Sequence, residues 1–255
     1  MTWWLELWRL SRRRLTDEQA YYTFQVHQAH RILERLERLG CSLQGRRVLD
    51  LGCGVGGYSA ALHQRGARVV ALDLHSTSSL LRGIAEAVQA DALRLPLRSA
   101  SVEGVFCASL IEHVPDPLTL LQEIQRVVRP DGWIYLSFPP FYSPVGGHQF
   151  APFHYLGERL AVSILRRRRW WGSSTWVPSR FQTAPASFAE AFGDYGLYPL
   201  TIRRARRLIQ EAGLEIAWQG TRFLPLDLSR LPLLGELLTW HVEFVLRPRS
   251  ERGLR

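Results

Sequence analysis

The sequence predicts an α/β fold: a seven-stranded, mostly parallel sheet with helices on both faces, an antiparallel last strand and a long insert after strand five. Three observations predict it. Short apolar runs alternate with amphipathic segments from Arg46 to Phe138, and again from Thr201 to Leu246. A glycine-rich turn follows the first of those runs directly. Beyond Pro139 the alternation stops for about sixty residues rich in Pro, Gly and aromatics, long for a simple connection.

The elements follow in order. Trp3, Trp4, Leu7 and Trp8 recur at helical spacing before Arg12, Arg13 and Arg14, and Ile32, Leu33, Leu36 and Leu39 form a second stripe that Gly40 ends. Arg46–Leu51 reads as a buried strand, and Gly56 to Gln64 as the helix after the turn. Arg68–Asp73, Ala87–Asp91 and Val102–Ser109 read as strands two to four. Leu118–Val128 carries a clear amphipathic stripe, and Trp133–Phe138 is strand five. After the insert, Thr201 caps a helix that runs to Ala212 and stops at Gly213. Leu214–Phe223 and Trp240–Leu246 close the sheet. The expected organisation is a helical cap over 1–44 and one domain over 45–255, with 139–200 as a lid over a substrate.

Composition narrows the chemistry. All 32 basic residues are arginine, which excludes a Schiff-base lysine and a P-loop lysine. The net charge is +9, yet residues 45–138 carry nine Arg and nine acids. The surplus lies after Pro139, with sixteen Arg against nine acids, so the expected acceptor or docking surface is anionic. Cys41, Cys53 and Cys107 suit neither a disulfide framework nor a zinc site, and no metal is expected. No run spans a membrane, and Glu6 and Arg9 interrupt the apolar start, so the expected location is cytoplasmic. The Trp-rich start with its basic flank suits either packing over the domain or peripheral contact with the inner membrane face.

The sharpest motif is Val48-Leu49-Asp50-Leu51-Gly52-Cys53-Gly54-Val55-Gly56-Gly57. Glycines let the backbone turn tightly and approach a ligand, and the helix that follows offers free N–H groups. Gly52, Gly54 and Gly57 also fit the dinucleotide fingerprint, with Asp73 where a ribose-binding acid belongs. Two acids separate the readings. Asp50 would face a pyrophosphate unfavourably but suits a cationic amino-acid ligand. Asp91, after strand three, can accept from the amine of adenine.

The stretches VLDLGCGVG, VVALD, QADALRLPL, SLIEHVPDP and LLQEIQRVVRPDGWIYLSFP occur in this order. Together they resemble the class I S-adenosylmethionine-dependent methyltransferases, in the small-molecule branch that includes ubiquinone-biosynthesis enzymes, whose fold is Rossmann-like. Val102-Glu103 and Arg129-Pro130-Asp131-Gly132 depart from that family's usual Phe-Asp and Lys-Pro-Gly-Gly. The resemblance implies S-adenosyl-L-methionine as cofactor and S-adenosyl-L-homocysteine as product. It implies that Asp50, Gly52, Cys53 and Gly54 line the methionine end and that Asp73 and Leu74 meet the ribose. Asp91 and Ala92 would border the adenine, and Ser109 and Leu110 would close the methionine side.

Methyl transfer from a sulfonium needs an aligned nucleophile and, for a hydroxyl, a base. His113 follows strand four, as a base or as a structural hydrogen-bonding residue. His148 and His154 in the insert are the leading base candidates, with Tyr142 and Tyr155 orienting them and all four lining the substrate. His27 and His30 read as surface groups. Arg166–Arg169 with Trp170, Trp171 and Trp176 forms a basic-aromatic run, and Leu224–Trp240 an apolar, proline-broken one that covers the cleft or touches membrane. Phe138-Pro139-Pro140-Phe141 follows strand five, where amino-methylating DNA enzymes place no such motif, and this argues against nucleic acid. The expected reaction is O-methylation of a small or lipid-linked glycan or lipid-type acceptor. A quinone-type methyltransferase and a non-catalytic cofactor-binding interaction protein are the alternatives.

Overall fold

Seven strands form one sheet in a computed structural model that describes residues 3–14, 16–75, 79–167, 185–191, 196–223, 226–231 and 234–249. They are β1 (Arg47–Leu51), β2 (Arg68–Asp73), β3 (Ala85–Gln89), β4 (Val102–Ala108), β5 (Val128–Phe138), β6 (Leu214–Thr221) and β7 (Val242–Pro248). Their order is β3-β2-β1-β4-β5-β7-β6. The first five are parallel, and β7 runs antiparallel to both β5 and β6. Strand order reverses between β1 and β4. Loops leaving their C-terminal ends therefore part there and open a crevice.

Helices cover both faces, which is why the central strands are apolar throughout rather than alternating. On one face α2 (Glu18–Arg38) lays Ala29, Ile32, Leu33 and Leu36 against α3 (Gly57–Gln64) and the sheet, around Val48, Phe106 and Tyr135. On the other, α4 (Pro117–Val127) and α6 (Ile202–Glu211) pack Leu120, Leu121, Ile124, Ile202 and Ile209 over Leu49, Val105 and Ile134. Side chains of Asp17, Asp116 and Thr201 cap α2, α4 and α6 by accepting from free backbone N–H groups. The amphipathic α1 (Trp3–Arg13) packs on α2, with Trp3 stacked on His27 and Arg31 over both Trp3 and Trp4.

Four strands differ from expectation by more than one residue: β6 ends two residues before Phe223, β7 lies two residues later than Trp240–Leu246, and β3 and β5 shift as well. β3 sits two residues earlier than Ala87–Asp91, because the Asp91 carboxylate accepts from the Leu93 N–H at 2.8 Å and turns the chain. β5 starts at Val128, with a register shift opposite Val102 and Gly104 that absorbs Arg129–Gly132. The insert builds its own small core, in which Phe141, Phe150 and Phe188 meet Val162 and Leu165 of α5 (Glu158–Arg167). The run from Arg168 to Trp176 lies outside the described residues. A short helix, α7 (Leu234–Leu238), precedes β7.

Candidate active site

The glycine turn is shaped by contacts on every side but one. Gly52 (φ +77°) and Gly54 (φ +51°) take the left-handed conformation that side chains resist. The N–H groups of Gly52 and Cys53 both donate to the Leu72 carbonyl, at 2.8 and 3.1 Å, tying the turn to β2. A Cβ on Gly52 would sit 3.1 Å from Leu110, and one on Gly57 2.6 Å from the Tyr22 carbonyl. Beside Gly54 nothing lies within 4 Å, so open backbone faces the crevice. Gly54 N–H donates to Asp73 Oδ2 at 2.9 Å, and His75 N–H to Asp73 Oδ1 at 3.1 Å.

Asp50 is 1% exposed, and Ser59 Oγ donates to its carboxylate at 2.5 Å. Burial pushes its pKa up to about 7; the Ser59 bond opposes this and Asp73 adds to it. Such an acid wants a cation. Burial likewise raises the Cys53 thiol, which is no nucleophile. Leu74 and Asp91 are exposed, Ala92 is half-buried, and Ser109 (φ +55°) is exposed where β4 ends. The ten residues expected to touch the cofactor thus lie at or just beyond the C-terminal ends of the neighbouring strands β3, β2, β1 and β4. An open glycine backbone, a buried carboxylate near neutrality and acids after β2 and β3 fit a ligand bearing an ammonium group, a ribose and an adenine.

A second group of side chains gathers on the same edge, beyond β4, β5 and β7. The Gly196 carbonyl can only accept, so His113 Nδ1 donates to it, at 2.8 Å. That fixes the tautomer and turns Nε2 toward Glu112 Oε1, 3.9 Å away. Glu112 is 2% exposed. Burial pushes its carboxyl up to about 8 and the His113 imidazole down to about 4, so the two sit side by side as neutral acid and neutral base. The His148 ring stands edge-on to His113 at 5.0 Å. Burial, His113, Arg14 and His154 hold its pKa down to about 3. His241, 6% exposed, brings Nε2 within 3.1 Å of Ser109 Oγ; burial first, then Arg222, holds it well below the usual range.

The structure gives the two leading base candidates different surroundings. His148 joins His113, whereas His154 is 1% exposed inside the insert, edge-on to Phe141 at 5.3 Å and beneath Gly147. Nor does either tyrosine hydrogen-bond a histidine among the described residues. Tyr155 donates its hydroxyl to the Tyr142 carbonyl at 3.1 Å, and both rings are exposed. His154 thus packs within the insert core, with the Tyr155 ring tilted against it at 4.0 Å. The sequence shows no metal-ligand spacing, yet the fold brings one ligand atom from each of Glu112, His113 and His148 within 4.8 Å of one another.

Sequence reasoning missed His241 and a buried network behind it. Arg222 (8% exposed) donates to Tyr58, Gln28, Tyr135 and Ser137. Glu243, fully buried, accepts from Tyr135 at 2.7 Å and from Arg35. The available signal was Glu243 among apolar residues at the start of the last strand, since a buried charge needs a partner.

Comparison with known proteins follows this geometry. A family model described as a methyltransferase domain matches residues 49–136. An uncharacterized methyltransferase of Mycobacteroides abscessus is 30% identical over 247 residues, covering 91% of this chain and 88% of that one. A ubiquinone biosynthesis O-methyltransferase of Bordetella avium is 38% identical over 114 residues, but these cover only 41% of this chain and 47% of the relative. Among solved structures, a Burkholderia thailandensis 1,6-didemethyltoxoflavin-N1-methyltransferase with bound S-adenosylhomocysteine superposes with a TM-score of 0.54. It is 19% identical and covers 89% of this chain and 79% of that one.

Proposed function

This chain belongs to the class I S-adenosylmethionine-dependent methyltransferases, and on that premise we propose that it methylates a hydroxyl of a small or lipid-linked acceptor, with His148 as base. The observation that carries the reading is the pair of neutral imidazoles, His113 and His148, on the sheet edge beside Ser109. The bound cofactor supplies a methyl group on a positively charged sulfur, already a strong electrophile.

The chain's own residues do the rest. Asp50 meets the ammonium of the methionine moiety, while Gly52, Cys53 and Gly54 lie against its backbone. Asp73, with Leu74 beside it, accepts from the ribose hydroxyls. Asp91 and Ala92 border the adenine, and Ser109 and Leu110 close the methyl end. His148 would take the proton of the acceptor hydroxyl. Burial, His113, Arg14 and His154 disfavour the imidazolium, and the positive charge lost from the sulfur in the same step would offset that cost. His113, locked by Gly196, braces the His148 ring. Arg14 lies near enough to depress His148 and favours an anionic acceptor. Residues 139–200 act as the lid and 1–44 as the cap.

A quinone-type acceptor is the second reading, supported by the partial likeness to a ubiquinone-pathway enzyme. Turnover measured over lipid, glycan and quinone extracts separates the two. In either case His148→Ala should abolish turnover while S-adenosylhomocysteine affinity holds. Unchanged turnover in that variant would overturn the assignment of His148.

A further inference from the structure

Large apolar side chains are exposed on one side of this molecule. Outside α1, each one among the described residues sits on a segment that leaves or enters the sheet at the C-terminal edge of the parallel strands. The densest group follows β6. Leu226 (69% exposed), Leu231, Leu234, Leu237, Leu238 and Trp240 face solvent within fifteen residues. Such a patch is too large to be the usual scatter of single exposed leucines.

Arginines border the patch. Glu236 of α7 accepts from the backbone N–H groups of Ile202 and Arg203, at 2.9 and 3.0 Å, and so pins the leucines to the first turn of α6. That helix carries Arg203, Arg204 and Arg207, all exposed and forming no ion pair with a described residue. Arg230 is also exposed on the loop itself, where it pairs with Asp227 at 3.6 Å. Leucines bordered by exposed arginines, three of them without an ion-pair partner among the described residues and with a tryptophan at the margin, match the chemistry of an anionic bilayer surface. A second copy fits worse, since it would oppose two arginine clusters of the same sign. No helix among the described residues is long and apolar enough to cross a membrane.

We propose that the β6–β7 loop with α7 and the start of α6 is a docking surface for an anionic lipid bilayer. It deepens the reading of a lipid-linked acceptor and rests on it for its purpose. Trp240 immediately precedes His241, whose ring reaches Ser109. A chain docked by this face turns the mouth of its acceptor site toward the membrane, so an acceptor with a lipid tail enters without crossing water.

The test is co-sedimentation of the full chain with vesicles of phosphatidylcholine alone or mixed with phosphatidylglycerol. Binding should require phosphatidylglycerol and weaken with salt. The double variant Leu234→Glu/Leu237→Glu should partition at least about tenfold less, as expected when two leucines leave an apolar interface. Arg203→Glu/Arg207→Glu should lose the lipid-charge preference. Both variants should keep S-adenosylhomocysteine affinity and melting temperature, since all four side chains are exposed. Equal partition of the leucine variant and the native chain would overturn the proposal, as would no binding to phosphatidylglycerol vesicles. So would a concentration-dependent dimer that the same changes abolish. Partition without methylation of any membrane-lipid extract supports the surface but overturns the acceptor reading, so the two failures are distinguishable.

Discussion

Asp50 should release a proton when the cofactor binds. Its pKa of about 7 arises because burial leaves the carboxylate with only Ser59 to solvate it. An ammonium group placed beside it would favour the charged form and draw the pKa down. At pH 6.5 a group with that pKa is about three-quarters protonated, so binding should release about 0.75 proton per cofactor. The cofactor's own α-amino group is already charged at that pH and contributes little. The assay is isothermal titration with S-adenosylhomocysteine in buffers of different ionisation enthalpy, whose slope counts protons. Asp50→Asn keeps the shape, removes the titration, and should flatten that slope. It should also weaken binding by about ten- to hundredfold, the usual worth of a buried hydrogen bond to a charge. The sign in the free protein is opposite. A raised folded pKa means stability is lost as pH rises through about 7, so Asp50→Asn should raise the melting temperature more at pH 8 than at pH 5.5. A buffer slope equal in both proteins would refute the placement of Asp50 at the ammonium.

Other substitutions separate chemistry from packing. His148→Ala should lower kcat about 10²- to 10⁴-fold with cofactor affinity intact, while His154→Ala should instead lower the melting temperature, because His154 fills the insert core. Glu243→Ala strips Arg222 and Arg35 of their buried counter-charge and should cost about 3–5 kcal/mol in urea unfolding. Glu112 and His113 titrate with opposite signs: His113, lowered to about 4, removes stability as pH falls below its unfolded value, whereas Glu112, raised to about 8, removes it as pH rises. Between the two unfolded values the effects offset, so Glu112→Gln should unmask an acid loss of about 1.4 kcal/mol per pH unit.

The half of the site proposed to hold the cofactor could be read from the sequence because it is local. Asp50 and the glycines are contiguous, and Asp73, Asp91 and Ser109 each follow a recognisable strand. Strand boundaries slipped where the pattern is weak: β3 is half-exposed on both faces, so nothing in Ala85–Asp91 marks its first residue. The acceptor half was less legible because it is assembled from distant segments. His148 and His154 are equally polar, equally near Gly and Pro, and indistinguishable by spacing. What sorts them is a tertiary contact, Gly147 over His154, that leaves His148 facing His113. His241 gave no signal at all, lying at the end of an apolar run.

That difference has a physical consequence for how the two halves change together. The cofactor half is a set of backbone turns whose shape depends on φ angles at Gly52 and Gly54, so it tolerates little substitution and little movement. The acceptor half is held by single side-chain bonds between segments: Gly196 to His113, Ser109 to His241, and the ring contact of His113 with His148. Behind both lies the Arg222–Tyr135–Glu243 network, which joins α2, β5, the end of β6 and β7 through buried and, at Arg35, half-buried groups. Arg222 also lies close enough to His241 to depress its pKa. The network is therefore a buried floor beneath the proposed acceptor side. The insert and the β6–β7 loop, which meet that floor, also carry most of the exposed large apolar side chains among the described residues.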